Sequence, residues 1–392
     1  MKEIILKRKK EESLKRKHPW VFSGAIAKKP DEIEEGERVT VRSDSGEILG
    51  IGHYQIGSIT VRMLEFDTET LPSDFYDRRL RSAFDLRKTL GLIRPDNNTY
   101  RLVHGEGDYL PGLIVDIYGD TAVMQAHSPG MHKERDKIAE ALLSLPEARI
   151  RNIYYKSETT LPYMAHLEPE NGYIVGSYDG NLALENGLKF NIDWLKGQKT
   201  GFFVDQRENR ALLEKFASGK DVLNMFCYTG GFSVYAIRGG AKKVVSVDSS
   251  AKAIALTGAN VMMNFGETPN HEAVSTDAFK YLNNMEKGEF DLIILDPPAF
   301  AKHRNALKNG LIGYRKLNTK AFEKIRGGGI MFTFSCSQVV SREAFRLAVF
   351  SAAVQAGRKV RILHQLTQPA DHPIDICHPE GEYLKGLVLY VE

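Results

Sequence analysis

Four side chains able to do chemistry each end a candidate strand in the second half of the chain. Asp248 follows Val244-Val245-Ser246-Val247, and Asp277 follows Val274-Ser275-Thr276. Asp296 follows Leu292-Ile293-Ile294-Leu295, and Cys336 follows Phe332-Thr333-Phe334-Ser335. Such runs read as strands, so three carboxylates and a thiol are expected at strand ends. In an open α/β sheet, ligands bind outside the carboxyl ends of the parallel strands. A carboxylate there accepts hydrogen bonds from hydroxyl or amino groups, and an ionised thiol is a nucleophile.

The segment ahead of Asp248 narrows the ligand. Val222-Leu223-Asn224-Met225-Phe226 turns into Cys227-Tyr228-Thr229-Gly230-Gly231, and Asp248 comes seventeen residues after Gly231. That spacing is a strand, a tight loop and a second strand whose acid is placed for ribose hydroxyls. The loop lacks the third glycine of a nicotinamide fingerprint and the lysine of a phosphate-binding loop. It suits a nucleoside with a small charged tail, which describes S-adenosyl-L-methionine. A doubly wound domain with idle glycines is the competing reading, and the recurrence of acids at strand ends argues against it.

Asp296-Pro297-Pro298-Ala299-Phe300 suggests what the methyl group meets. Prolines stiffen the loop and leave carbonyls free, while the acid and the phenyl ring can engage a planar base by hydrogen bond and stacking. Similar loops serve amino-group methylation, so this segment alone does not name the target atom. Cys336 points to carbon. Carbon 5 of a pyrimidine is too poor a nucleophile to take a methyl group directly. A thiolate adding to carbon 6 makes carbon 5 enamine-like, and loss of its proton then expels the thiol. A packed structural cysteine is the alternative reading of Cys336. Cys227, inside the glycine loop, reads as packing. Cys377 neighbours His378 but has no second ligand set, so no metal site is expected.

Two further segments are polar enough to serve the site. Gly197 to Arg207 carries glycines, aromatics, Asp205 and Gln206, and reads as a loop folding over the cofactor. Asp371-His372-Pro373 reads either as a lining of the substrate mouth or as a capped turn.

The elements that must hold these groups fall into three stretches. With 392 residues the chain is too long for one ordinary core. Residues 1–70 alternate as short strands, and residues 71–185 mix a helix over Ser73–Leu90, a hairpin turning at Gly119-Asp120 and a helix over Met131–Leu145. Residues 186–392 alternate strands with helices, the rhythm of a parallel sheet. The net charge of +3 favours no partner, but eight of the first seventeen residues are Lys or Arg (Lys2, Lys7–Lys10, Lys15–Lys17), a run suited to a polyanion or to a solvated face. Three scattered cysteines make no disulfide framework, and the basic start is not followed by an apolar core, so the cytoplasm is the expected compartment.

Taken together, the motifs closely resemble the bacterial family of 23S ribosomal RNA large-subunit cytosine-5 methyltransferases that carry an N-terminal PUA domain. The matching stretches run from Lys17-His18-Pro19-Trp20 through Lys199–Arg207, Phe226–Phe232, Asp296–Phe300 and Phe334–Ser337 to Ala370–Pro373 and Pro379–Gly386. The resemblance implies a PUA RNA-binding module over 1–70, a central α+β domain over 71–185, and a class I, Rossmann-like methyltransferase domain over 186–392 with a mostly parallel seven-stranded sheet. It implies Cys336 as nucleophile and Asp296 as the base-contacting acid. It also implies a cofactor set of Gln206, Phe226, Tyr228, Gly230, Asp248, Asp277 and Ala278, with Asp248 on the ribose, Asp277 on the adenine amino group, and Tyr228 and Gly230 at the methionine end. Many RNA cytosine-5 enzymes have a second cysteine after the proline of the Asp296 loop, where this chain has Ala299. The expected partner is 23S ribosomal RNA, and a homodimer is compatible with the sequence. Two rivals stay open: a base-nitrogen RNA methyltransferase using the Asp296 loop with Cys336 idle, and a ribosome-assembly factor that binds S-adenosylmethionine without turnover.

Overall fold

The structure is a computed structural model that describes every residue except Asp179. The chain divides into two compact units. One is Met1–Gly187 with Ile192–Val204 and Ala370–Gly381, and the other is Leu188–Asn191 with Asp205–Pro369 and Glu382–Glu392.

The first unit begins with a six-stranded sheet in the order Trp20–Phe22, Ile59–Phe66, Ile48–Tyr54, Arg38–Arg42, Lys2–Leu6, Ile26–Lys28. Lys2–Leu6 runs parallel to Arg38–Arg42, and the other pairs are antiparallel. Alternation drives one face inward, with Ile4, Val39, Val41 and Val61 wholly buried. A five-stranded sheet follows, ordered Gly172–Val175, Asn152–Tyr155, Thr121–Ala126, Leu113–Tyr118, Thr99–His104. Its hairpin turns at Gly119, whose φ of +65° is open to glycine at little cost. The helices Phe75–Thr89 and Arg135–Leu143 share a core with it through Leu80, Phe84, Val115, Met124, Ile138 and Leu142.

The single helix expected over Met131–Leu145 is two, Pro129–Lys133 and Arg135–Leu143. Glu134, at φ −92° and ψ 6°, ends one and starts the other, and its carboxylate pairs with Arg38 and Lys137. The interruption coincides with a tertiary pair to Arg38 and a local pair to Lys137.

Asp371 and His372 do not line a substrate mouth, because both are buried at 1 % exposure or less. Arg87 donates to both oxygens of Asp108 and to the main-chain carbonyl of Asp371, while the Asp371 carboxylate accepts the Arg101 N–H at 3.0 Å. Arg101 in turn grips Asp116 through two 2.8 Å bonds. This is a buried charge network that ties a late segment of the chain into the first unit.

The second unit is built on a seven-stranded sheet ordered His271–Ser275, Lys243–Asp248, Asp221–Met225, Leu292–Leu295, Gly329–Ser335, Lys385–Val391, Val360–Leu366. Only Lys385–Val391 runs against the rest. Leu292, Ile293, Ile294 and Leu295 are all 1 % exposed or less, because both faces are covered. Leu292 and Ile294 pack with the helices Arg207–Glu214 and Gly231–Arg238, whereas Ile293 and Leu295 pack with Ala278–Asn284, Leu307–Lys324 and Arg342–Gln355. Each such fully buried side chain contributes about 1.5–3 kcal/mol.

Removing one partner of the Arg87–Asp108 pair strands a charge in the interior. Asp108→Ala is expected to lower the unfolding free energy by about 3–5 kcal/mol. Both tryptophans, Trp20 and Trp194, lie in the first unit with this pair, so fluorescence-monitored urea unfolding reads it directly. A midpoint equal to wild type would contradict the role given to the pair.

Candidate active site at the carboxyl edge of the seven-stranded sheet

Strand register decides which residues can meet. Met225 aligns with Val247 on one side and Leu295 on the other, Asp248 aligns with Ser275, and Leu295 aligns with Thr333. Phe226, Asp248, Asp277, Asp296 and Cys336 therefore all emerge along the carboxyl edge. Chain order reverses between Asp221–Met225 and Leu292–Leu295, and such a switch point opens a crevice there.

The loop after Asp221–Met225 is conformationally costly. Phe226 (φ +59°), Tyr228 (φ +48°) and Gly230 (φ +79°) occupy the left-handed region, at roughly 1–3 kcal/mol for each non-glycine residue. Alternating left-handed residues turn main-chain N–H groups toward one concave side, a feature of anion-accepting loops. At Gly230 a Cβ would lie 2.6 Å from the Thr257 methyl, so no larger residue fits. Thr257 also holds the loop by donating to the Tyr228 carbonyl at 2.9 Å. Cys227 packs beside Thr257, and burial pushes its thiol up to about 12, which fits a packing role.

Asp248 is oriented by its neighbours. One carboxylate oxygen accepts the Tyr228 N–H at 3.0 Å and the other the Ser250 N–H at 2.9 Å. Each oxygen keeps a lone pair for a further donor. Asp277, more exposed, caps the helix Ala278–Asn284 by accepting the Lys280 N–H at 2.9 Å, and Ala278 beside it is buried.

Asp296 and Gln206 come together. The Gln206 amide donates to Asp296 at 3.0 Å, and its carbonyl accepts from Asn209 at 2.6 Å. Because Asn209 fixes the carbonyl end, the amide end must face Asp296. Gln206 thus sits against the acid of the proline loop. Asp205, beside it, accepts from the Tyr383 hydroxyl at 2.7 Å.

Cys336 is half-buried immediately after Gly329–Ser335, with its sulfur 3.9 Å from the Pro297 carbonyl. The Asp296 loop and the thiol are therefore neighbours. Residues beyond the expected Phe300 also shape this corner. Phe300 packs against Tyr314 with ring centroids 4.7 Å apart and planes tilted by 40°, and the Tyr314 and Ser337 hydroxyls lie 2.8 Å apart. Gly310 and Gly313 let the helix Leu307–Lys324 approach the loop, since a Cβ on Gly310 would come within 2.7 Å of Ala301. Lys385, buried on the neighbouring strand, donates to the Ser337 carbonyl at 2.8 Å, and burial pushes its amine down to about 8. Gly310-x-x-Gly313-Tyr314, small residues one turn apart in a helix, is the clue that could have been read.

In the first unit, one trio of ligand-type side chains converges among the described residues: His18, His378 and Glu380, within 4.8 Å of one another. His18 Nδ1 accepts the Trp20 N–H at 3.2 Å, which leaves the proton of a neutral ring on Nε2, facing Glu380 at 3.4 Å. That tautomer makes a hydrogen bond and blocks the lone pair a metal would need. The N-terminal basic run is partly neutralised, because Lys2, Lys15 and Lys17 pair with Glu37, Glu47 and Asp67, whereas Arg8, Lys9 and Lys10 are exposed. No helix among the described residues is long and apolar enough to cross a membrane.

Comparison with known proteins places this geometry. Residues 171–376 match the S-adenosylmethionine-dependent methyltransferase family, and residues 4–66 match a PUA-like domain. The chain is 42% identical over 395 residues to ribosomal RNA large subunit methyltransferase I of Aeromonas hydrophila, covering 98% of each. It is 39% identical over 396 residues to the protein of that name from Alteromonas mediterranea, covering 99% of this chain and 98% of the other. A solved Streptococcus mutans chain, provisionally assigned as a SAM-dependent methyltransferase, superposes with a TM-score of 0.84 over the full length of both at 24% identity, a likeness of fold. The chain belongs to the S-adenosylmethionine-dependent methyltransferases with a PUA-like N-terminal domain, alongside the proteins named ribosomal RNA large subunit methyltransferase I.

Proposed function

We propose that the chain methylates carbon 5 of a cytosine in 23S ribosomal RNA through a covalent adduct on Cys336. The name shared by its curated relatives supports large-subunit ribosomal RNA as substrate. The observation that carries the carbon-5 reading is the thiol itself, 3.9 Å from the Pro297 carbonyl, on the loop that begins with Asp296. A base-nitrogen methyltransferase has no use for a nucleophile at that position.

The chain's residues suit the cofactor of its family. Asp248 retains acceptor capacity beyond its two main-chain bonds, and the left-handed loop at Phe226, Tyr228 and Gly230 admits close approach. We assign Asp248 to the ribose, Asp277 and Ala278 to the adenine, and Phe226, Tyr228 and Gly230 to the remainder. When bound there, S-adenosyl-L-methionine supplies an electrophilic sulfonium methyl. The target base leaves its stack and enters beside the Asp296 loop. Asp296, held by Gln206, accepts from the exocyclic amine and orients the ring. Cys336 thiolate adds to carbon 6, raising electron density at carbon 5. After methylation, loss of the carbon-5 proton restores the double bond and breaks the carbon–sulfur bond. Residues 1–70 are assigned to RNA contact, residues 71–185 to a central α+β domain within the same compact unit, and residues 186–392 to catalysis, apart from Ile192–Val204 and Ala370–Gly381, which belong to the first unit.

Labelled methyl transfer to ribosomal RNA, followed by nucleoside analysis, tests the reaction. Wild type is expected to yield 5-methylcytidine and Cys336→Ala none. Transfer surviving in Cys336→Ala, or a different labelled nucleoside, would overturn the carbon-5 mechanism. For the cofactor, Asp248→Ala is expected to weaken S-adenosylmethionine binding by about 10- to 150-fold, or roughly 1.5–3 kcal/mol, the worth of hydrogen bonds to a charged group. Calorimetry showing unchanged affinity would remove Asp248 from the ribose site.

A further inference from the structure

Lys385 is a charged residue at 3 % exposure, an uncommon place for a lysine. It opens the strand Lys385–Val391 directly opposite Ser335, and its Nζ donates to the Ser337 carbonyl at 2.8 Å. It thus holds the main chain on both sides of Cys336. The charged groups that act on it are Glu382 first, then Cys336 and Arg342, and Glu382 is itself paired with Arg342. No carboxylate among the described residues forms an ion pair with it. A buried ammonium with no carboxylate of its own calls for some other anion. The Cys336 thiol, between the two main-chain contacts of Lys385, offers one once ionised.

We propose that Lys385 activates Cys336, its amine taking the thiol proton so that an ammonium–thiolate pair forms beside the Asp296 loop. Sulfur loses the proton, nitrogen gains it, and no further reactant is required. Burial pushes the Lys385 amine down to about 8, which brings a neutral amine within reach near physiological pH. Lys385 therefore acts through Cys336 rather than on the base. The inference rests on Cys336 being the nucleophile, and its test does not use methyl transfer.

The measurement is the rate of Cys336 alkylation by iodoacetamide, resolved by peptide mass spectrometry as a function of pH, on the full chain without RNA. Lys385→Met is expected to slow alkylation near neutral pH about tenfold, the effect of losing an opposite charge beside an ionising group, and to move the profile to higher pH. Lys385→Arg keeps a cation but cannot accept the thiol proton, so its profile is expected to lose the lysine-dependent rise near neutral pH. Should Lys385→Met not fold, the reciprocal reading uses Cys336→Ala and NMR titration of labelled lysine. Without the thiolate, the Lys385 midpoint is expected to fall. Superimposed alkylation profiles, or equal lysine midpoints, would overturn the proposal. Lysine-dependent alkylation together with methyl transfer that survives in Cys336→Ala would instead overturn the nucleophile reading alone.

Discussion

Everything at the candidate site depends on the fact that strands covered on both faces have no room for ionised groups along their length. Leu292 to Leu295 present apolar side chains in both directions, so the first position able to carry a charge is the one after the strand ends. Asp296 is that position, and Asp248 and Cys336 obey the same constraint on their own strands. Parallel alignment then brings separate strand ends to one edge. The chemistry is concentrated there because the interior excludes it.

The second requirement is orientation, and it is met by hydrogen bonds that stop short of exhausting their acceptors. Asp248 takes two main-chain donors and Asp296 takes the Gln206 amide. Both carboxylates are thereby aimed, and Asp248 keeps acceptor capacity beyond its two main-chain bonds. Asp371, by contrast, is enclosed by Arg87, Arg101 and His372 and serves stability. Aspartates with the same side chain are thus put to different uses, set by what surrounds them.

The contrast explains how much was legible in the sequence. The strands of the second unit, their order of appearance and the acids at their ends follow from local periodicity, because burial on both faces leaves a continuous apolar record. Cys336 at the end of its strand was readable for the same reason. Partnerships across the chain were not. Gln206 and Asp296 are ninety positions apart, Lys385 and Ser337 forty-eight, and Arg87 and Asp371 two hundred and eighty-four. Nothing local marks them, so Asp371 could be taken for a site residue and Lys385 passed over. The division of the helix at Glu134 was equally unmarked, and its Arg38 partner comes from a strand distant in sequence.

The dependence of Arg87 and Arg101 on Asp371 bears on how the protein is made. The first unit recruits Ala370–Gly381 after the chain has already laid down most of the second. During synthesis, a nascent chain cut off anywhere before residue 371 leaves the N-terminal unit without that segment, however long the pause. Completion of this unit therefore waits until the last part of the chain has been made. An expression fragment ending near residue 187 inherits the same deficit, with an arginine facing an empty place in its core.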